Sequence, residues 1–347
     1  MGLYLNNNYL NIQWIRDRGM AFNFITGGRG IGKTYGALTN MLDTGAKFMF
    51  MRRTQTQIDE VTRDELSPFK RINSDRGIYI KSKPISKYTN GFYKTIKDEN
   101  EVLVASGEPI GYTCALSTIS NLRGFDASDC EVLIYDEFIS EKHERPIKNE
   151  GQAFLNAYET INRNRELEGN KPLQVLALSN SNDLANPIFM ELGIVKIVEN
   201  MKKKGQEVYI DPVKSLGIFY ILNSKISEAK AETALYKLAR YSTFTDMSLN
   251  NEFIYDDMSN IKSVNLKQYN PMVQVGELSI YQRKDDYQYY VCGHISGKPK
   301  VYGSSETERA KFKRNYLWLW NSYIDGRVLF EEYIYKALFE QYFITNY

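Results

Sequence analysis

Gly27, Gly28, Gly30 and Gly32 crowd one short loop, and Lys33 and Thr34 follow directly in the string GGRGIGKT. Small residues at this density let backbone N–H groups wrap an anion at contact distance, where a Cβ would collide. The whole run Gly27, Gly28, Arg29, Gly30, Ile31, Gly32, Lys33, Thr34 therefore reads as a P-loop that binds a nucleotide. Lys33 reaches the β and γ phosphates, Thr34 offers its hydroxyl to Mg²⁺, and the helix that starts there adds its positive end. The bland alternative is a glycine-rich turn. Kinases, GTPases, helicases and motors all share the loop, so other residues must choose among them.

A second group lies in VLIYDE, an apolar run that ends in Asp136 and Glu137. Asp136 at the end of a buried strand suits a Walker B carboxylate holding Mg²⁺. Glu137 beside it is placed to polarise an attacking water. Acidic residues also simply end strands, but an adjacent Asp-Glu pair behind a P-loop favours hydrolysis over phosphoryl transfer to another acceptor. One strand further on, in LSNSND, Ser179 and Asn180 could hydrogen-bond the γ-phosphate or the lytic water as a sensor, or merely form the turn before Asn186-Pro187. No Asn-Lys-x-Asp guanine reader is present, so ATP is the expected base. In NRNRE, Arg163 and Arg165 could stabilise phosphoryl charge from a neighbouring subunit. The alternative is a helical ion pair of Arg163 with Glu159, four residues earlier.

The elements around these residues alternate apolar strands with helical patterns, as an α/β fold requires. AFNFIT (21–26) is the first strand, and Lys33 opens a helix that Gly45 ends. AKFMFMRR (46–53) is a second strand closing on two arginines. Short strands between residues 78 and 116 read as an inserted antiparallel meander, CEVLIYDEF (130–138) as a buried strand, GQAFLNAYETINRNRE (151–166) as a helix, and LQVLALSNSND (173–183) as another strand. ENMKKKGQE (199–207) is expected to be a charged turn, and SEAKAETALYKLAR (227–240) a helix capped by Ser227. From residue 245 short strands return, SIYQRKDDYQYYVCGHISGKPKVYG (279–303) as a hairpin or meander; YLWLWNSYI and LFEEYIYKALFEQYF read as helices.

Composition narrows the partners. With 44 Lys+Arg against 42 Asp+Glu the net charge is +2, so any nucleic-acid contact must be local. Cys114, Cys130 and Cys292 are scattered and read as buried thiols. With only His143 and His294, a histidine-built metal centre is not expected. The N-terminal stretch has no basic segment leading into an apolar core, Asn6 stands where a myristoylation signal needs Ser or Thr, and no long apolar run could span a bilayer. No membrane partner is expected.

The joined string of FNFITGGRGIGKTYG, FMFMRR, VLIYDEFISEK, INRNRE and LALSN with Asn186-Pro187 resembles the DNA-packaging ATPases of phi-29-type tailed phages, within the additional-strand catalytic-glutamate class of ring motors. The likeness covers about the first 190 residues; beyond them it rests on MSLNNEFI (247–254) and the β-rich pattern. It implies a homopentameric ring on the portal (connector) vertex of a procapsid, in the host cytoplasm, that hydrolyses ATP with Mg²⁺ between subunits and drives double-stranded DNA inward. By position, Glu137 becomes the catalytic base, Asp136 and Thr34 the metal holders, Arg163 the trans-acting finger and Arg165 its fallback. Arg123, in SNLRGFD, stands where the family can place a lysine acting across the interface, the alternative being an ordinary loop charge. Lys142 and His143, in the loop after Glu137, are by family position the candidate DNA contacts, the alternative being a solvated loop.

The family implies a mainly parallel P-loop ATPase domain over 1–199, a linker with a helical hairpin over 200–245, and a small α+β domain over 246–347. That last domain is expected to be ribonuclease-H-like without nuclease activity and to dock the portal or a structural packaging RNA. Asp246, Asp256, Asp257, Asp285 and Asp286 are its conceivable metal cluster. Competing readings are a P-loop kinase of a small substrate and a non-hydrolysing, nucleotide-switched docking module.

Overall fold

The fold comes from a computed structural model that describes residues 2–122, 124–140, 144–145, 147–180, 183–221, 224–240, 245 and 258–344. The chain divides into two compact units, Met1–Leu192 with Ile197–Ile254, and Gly193–Lys196 with Tyr255–Tyr347.

In the first unit the chain runs α1 (Ile12–Arg16), β1 (Phe22–Gly27), α2 (Lys33–Thr44), β2 (Phe48–Arg52), α3 (Gln55–Val61), α4 (Lys70–Arg76), β3 (Ile80–Ser86), β4 (Thr89–Lys97), β5 (Leu103–Ala105) and β6 (Gly111–Ala115). It continues through β7 (Val132–Asp136), α5 (Glu150–Asn162), β8 (Gln174–Ser179), α6 (Pro187–Glu191), α7 (Val195–Lys204), β9 (Val208–Asp211), β10 (Leu216–Ile221), α8 (Lys225–Ala231) and α9 (Ala234–Leu238). The strands make one sheet in the order β3-β4-β6-β2-β7-β8-β1-β10-β9, with β5 added on β4. From β6 to β10 every pairing is parallel. These strands are buried almost throughout rather than at alternate positions, as expected of a parallel sheet covered on both faces: β7 and β10 are buried at every position. The α/β class with a mainly parallel sheet is thus as expected. One strand, β8, stands between the P-loop strand β1 and the acidic strand β7.

Several elements differ from the sequence reading. The segment 78–116 is antiparallel through β3, β4 and β5, but β6 lies parallel to β2 inside the main sheet. Its residues are buried on both faces, a burden an exposed meander strand would not carry. Part of the expected linker forms β9 and β10, which join the sheet beside β1. ENMKKKGQE lies largely in a helix rather than a turn: Val195, Val198 and Met201 bury one stripe of α7, and three lysines complement the dipole of its last turn. Ser224, not Ser227, caps α8, and the helical pattern breaks into α8 and α9. α5 stops at Asn162, where Arg163 takes φ of 50°.

The second unit is a five-stranded sheet of β11 (Tyr269–Val275), β12 (Leu278–Arg283), β13 (Tyr289–Cys292), β14 (Lys300–Tyr302) and β15 (Val328–Phe330), in the order β14-β11-β12-β13-β15. Its helices are α10 (Glu306–Asn315), α11 (Leu317–Ile324) and α12 (Tyr333–Ile344). β11 to β13 form an antiparallel meander, while β14 and β15 attach in parallel. The start of LFEEYIYKALFEQYF is therefore a strand, because Val328 and Phe330 face the core of that sheet. MSLNNEFI, Asp246, Asp256 and Asp257 lie outside the described residues, and Asp285 and Asp286 are exposed.

Candidate nucleotide site

β1 delivers Gly27 to the carboxyl edge of the sheet, the edge where open α/β sheets bind ligands. Gly30 and Gly32 adopt φ of 84° and 88°, which a Cβ penalises. At Gly27 a Cβ would lie 2.8 Å from Ile221 and from Ile31, and at Gly32 2.8 Å from the Tyr9 ring. The backbone N–H of Leu10 donates to the Ile31 carbonyl at 3.1 Å, so the N-terminal segment rests on the loop, a contact no sequence spacing announces. Lys33 opens α2 and is buried. Its Nζ donates to the carbonyls of Gly27 at 2.6 Å and Gly28 at 2.8 Å. Burial pushes its ammonium down to about 7, with Lys230 and Arg29 adding to the effect and Asp136 and Glu137 opposing it.

Asp136 arrives at the same edge on β7. The Thr34 hydroxyl donates to Asp136 Oδ1 at 2.9 Å, although the two residues are 102 positions apart. This pair of hard oxygen donors, beside a buried lysine, fits Mg²⁺. Glu137 follows in the left-handed region, with φ of 56°, and the Phe138 N–H pins the turn to the Leu178 carbonyl at 3.1 Å. Arg52, at the end of the adjacent strand β2, holds both acids: its guanidinium lies 2.7 Å from Asp136 and also pairs with Glu137. Arg53 points the other way. It is buried against Glu150 in a two-pronged contact at 2.7 and 3.0 Å and reaches Glu144 at 2.7 Å, fastening the segment that follows Glu137. In the sequence the two arginines show only as the end of a strand; their roles depend on β7 lying beside β2, which spacing does not reveal.

Ser179 ends β8 in register with Thr26, one residue beyond the Asp136↔Leu178 pairing. It thus stands between the loop and the acids, and half-buried Asn180 follows it. The two arginines of NRNRE do not join this group. Arg163 donates to the Phe125 carbonyl at 2.6 Å and lies 3.4 Å from Asp126; it makes no ion pair with Glu159, since the helix has ended. Arg165 donates to the Cys130 carbonyl, and its Nε is buried without a partner. Phe125 packs on Tyr112 near the start of β6, and Cys130 precedes β7. Both arginines therefore lie at the amino edge of the sheet, roughly 20 Å along β7 from Asp136 at ~3.3 Å per residue. Arg123, Lys142 and His143 lie outside the described residues.

In the second unit the described residues include one group with mixed ligand chemistry, Cys292, His294 and Glu331, whose ligand atoms lie within 4.8 Å of one another. Among the described residues no helix is long and apolar enough to cross a membrane.

The family model of the podovirus DNA encapsidation protein (Gp16) matches residues 3–270, more than half of the chain. The DNA packaging proteins of Bacillus phages PZA and phi29 are each 25% identical over 244 residues, a match that takes in 67% of this chain and 62% of theirs. The chain thus spans less than two thirds of the length of those relatives. Among solved structures, the Phi-28 gp11 DNA packaging motor matches with a TM-score of 0.67 at 18% identity, over 99% of this chain and 100% of that one. The bacteriophage Phi-29 viral genome packaging motor assembly matches at 0.65 and 17%, over 99% of each chain. At such identities the likeness to these structures is one of fold. The family match reaches further, and by it the chain belongs to the podovirus DNA encapsidation protein (Gp16) family.

Proposed function

We propose that this chain is the ATPase of a phage DNA-packaging motor, which hydrolyses ATP between the subunits of a homo-oligomeric ring, a pentamer in this reading, and drives double-stranded DNA through the portal of a procapsid. The observation that carries it is the assembly of Lys33, Thr34, Asp136 and Glu137 at one sheet edge, with Arg52 holding both acids. The printed names of the relatives, DNA packaging proteins, support the same activity.

In this reading the N–H groups of residues 27–34 and the Lys33 ammonium bind the phosphates, while Thr34 and Asp136 hold Mg²⁺. Mg²⁺ held there would supply positive charge beside the phosphates. Glu137 accepts the proton of the attacking water once its carboxylate turns from Arg52 toward the γ-phosphate. Ser179 and Asn180 report the loss of that phosphate. Arg163, with Arg165 as fallback and Arg123 beside it, serves the site of a neighbouring subunit, and Lys142 and His143 touch the DNA backbone. The ATPase domain takes in β9 and β10. The second unit docks the motor to the portal or a structural RNA as a ribonuclease-H-like domain without nuclease activity.

Steady-state hydrolysis with and without double-stranded DNA tests the reading in wild type, Lys33→Ala and Glu137→Gln. Turnover stimulated by DNA in wild type and lost in both variants is expected. A wild-type rate indifferent to DNA would sink the motor, and transfer of phosphate to a small acceptor would make the protein a kinase.

A further inference from the structure

The phosphate loop is touched by a side chain 201 residues further along the chain. Lys230 Nζ donates to the Arg29 carbonyl at 2.6 Å. It stands against the point a Cβ on Gly30 would occupy, directly on the loop. Its helix, α8, begins just after β10, and β10 runs in register with β1 as far as Gly27↔Ile221. The Ser224 hydroxyl caps that helix by accepting from the Ile226 N–H at 3.2 Å. Ile226 packs on the main core and Ser227 is buried. Residues 226, 227 and 230 share one face of a helix, so burial of the first two turns Lys230 toward the loop. The placement is built into the fold rather than left to a free surface chain.

Lys230 is a cation held by its fold against a loop of glycines that can wrap phosphate, and among the described residues no carboxylate pairs with it. Burial, and then Arg29, push its ammonium below the usual range, so an anionic oxygen would be a better partner for it than the carbonyl it now meets. We infer that Lys230 is a phosphate ligand of the nucleotide: it exchanges the Arg29 carbonyl for a β or γ oxygen of a nucleoside triphosphate seated on residues 27–34, so that the nucleotide fastens α8 to the loop. The inference rests on the reading of that loop as an ATP site.

The full-length chain carrying Lys230→Met or Lys230→Arg, each also in the Glu137→Gln background to suppress turnover, is titrated by calorimetry with ATP, ADP and AMP in the presence of Mg²⁺. A lost charge-assisted hydrogen bond predicts ATP affinity lower by roughly tenfold or more in Lys230→Met. Lys230→Arg should stay within about threefold of wild type, and AMP, which lacks both outer phosphates, should bind all variants alike. Melting temperatures run alongside separate a loop clamp from a ligand. Equal weakening of ATP, ADP and AMP with a lowered Tm overturns the inference, as does unchanged ATP affinity in Lys230→Met. If wild type binds no ATP, or Lys33→Ala binds as well as wild type, the ATP-site reading itself falls and takes this one with it.

Discussion

Arg53 and Glu150 form a nearly dry ion pair, with side chains 1% and 2% exposed, and Glu144 completes it from a half-wet position. Glu150→Gln keeps the shape and removes the charge. The guanidinium then remains buried with one acid in place of two, and its Nε and Nη2 face an amide that can accept only one of their hydrogen bonds. Breaking a buried pair by removing one partner costs about 3 to 5 kcal/mol. Because Glu144 survives, the lower end, about 3 kcal/mol, is expected. Replacing both partners by apolar residues, Arg53→Met with Glu150→Leu, removes the stranded charge as well and should cost less than the single change. Two units in one chain make a single melting curve ambiguous, so native-state hydrogen exchange is the better assay. In Glu150→Gln the amides of β2, β7 and α5 should exchange about a hundredfold faster, at 1.4 kcal/mol per tenfold, while those of β11 to β13 hold their rates. A change under about fivefold in the single variant, or a double variant worse than it, would refute the assignment of this pair as the fastener behind Glu137.

Lys33 makes the site sensitive to pH. Its folded value, about 7, lies below the ordinary 10.5, so between those limits the unfolded chain holds a proton that the folded chain lacks, and stability rises with pH across that window. A polyphosphate restores the charge, so binding should take up more protons at pH 8 than at pH 6, read by calorimetry in buffers of different ionisation enthalpy; equal uptake at both would contradict the depressed lysine. Arg163→Ala and Glu137→Gln subunits, each inactive alone, should regain part of the hydrolysis rate when mixed, and no regain at any ratio would remove Arg163 from the reaction.

The residues that act within a few positions of one another were legible in the sequence. Glycine spacing before Lys33 and two carboxylates after an apolar strand carry their chemistry locally, and the structure brings Thr34 and Asp136 into contact. What escaped was neighbourhood between distant segments. Arg52 meets the acids because β2 is paired with β7, and Lys230 meets the loop because β10 is paired with β1. Neither pairing leaves a mark in spacing. β10 itself was hidden because LGIFYI, buried throughout, lacks the alternation that marks a half-buried strand, and a short apolar run cannot by itself be told from a buried helix. α7 reads as a charged turn in the sequence because its lysine run cuts short the apolar stripe of Val195, Val198 and Met201.

The separation of the charged groups along the sheet carries the last step. Lys33, Thr34, Asp136, Glu137 and Ser179 stand at the carboxyl edge, while Arg163 and Arg165 stand at the amino edge, bound to carbonyls that precede β7. A guanidinium fork on a side chain of this length cannot cross the roughly 20 Å of β7 between them, at ~3.3 Å per residue. If Arg163 serves a phosphate, the phosphate belongs to another copy. Such a contact joins one edge of a subunit to the opposite edge of the next, so it is heterologous, and heterologous contacts either close into rings or run on as filaments. The mixing experiment therefore tests geometry as well as chemistry, because rescue requires that the edge bearing Arg163 on one subunit meet the edge bearing Lys33 on its neighbour.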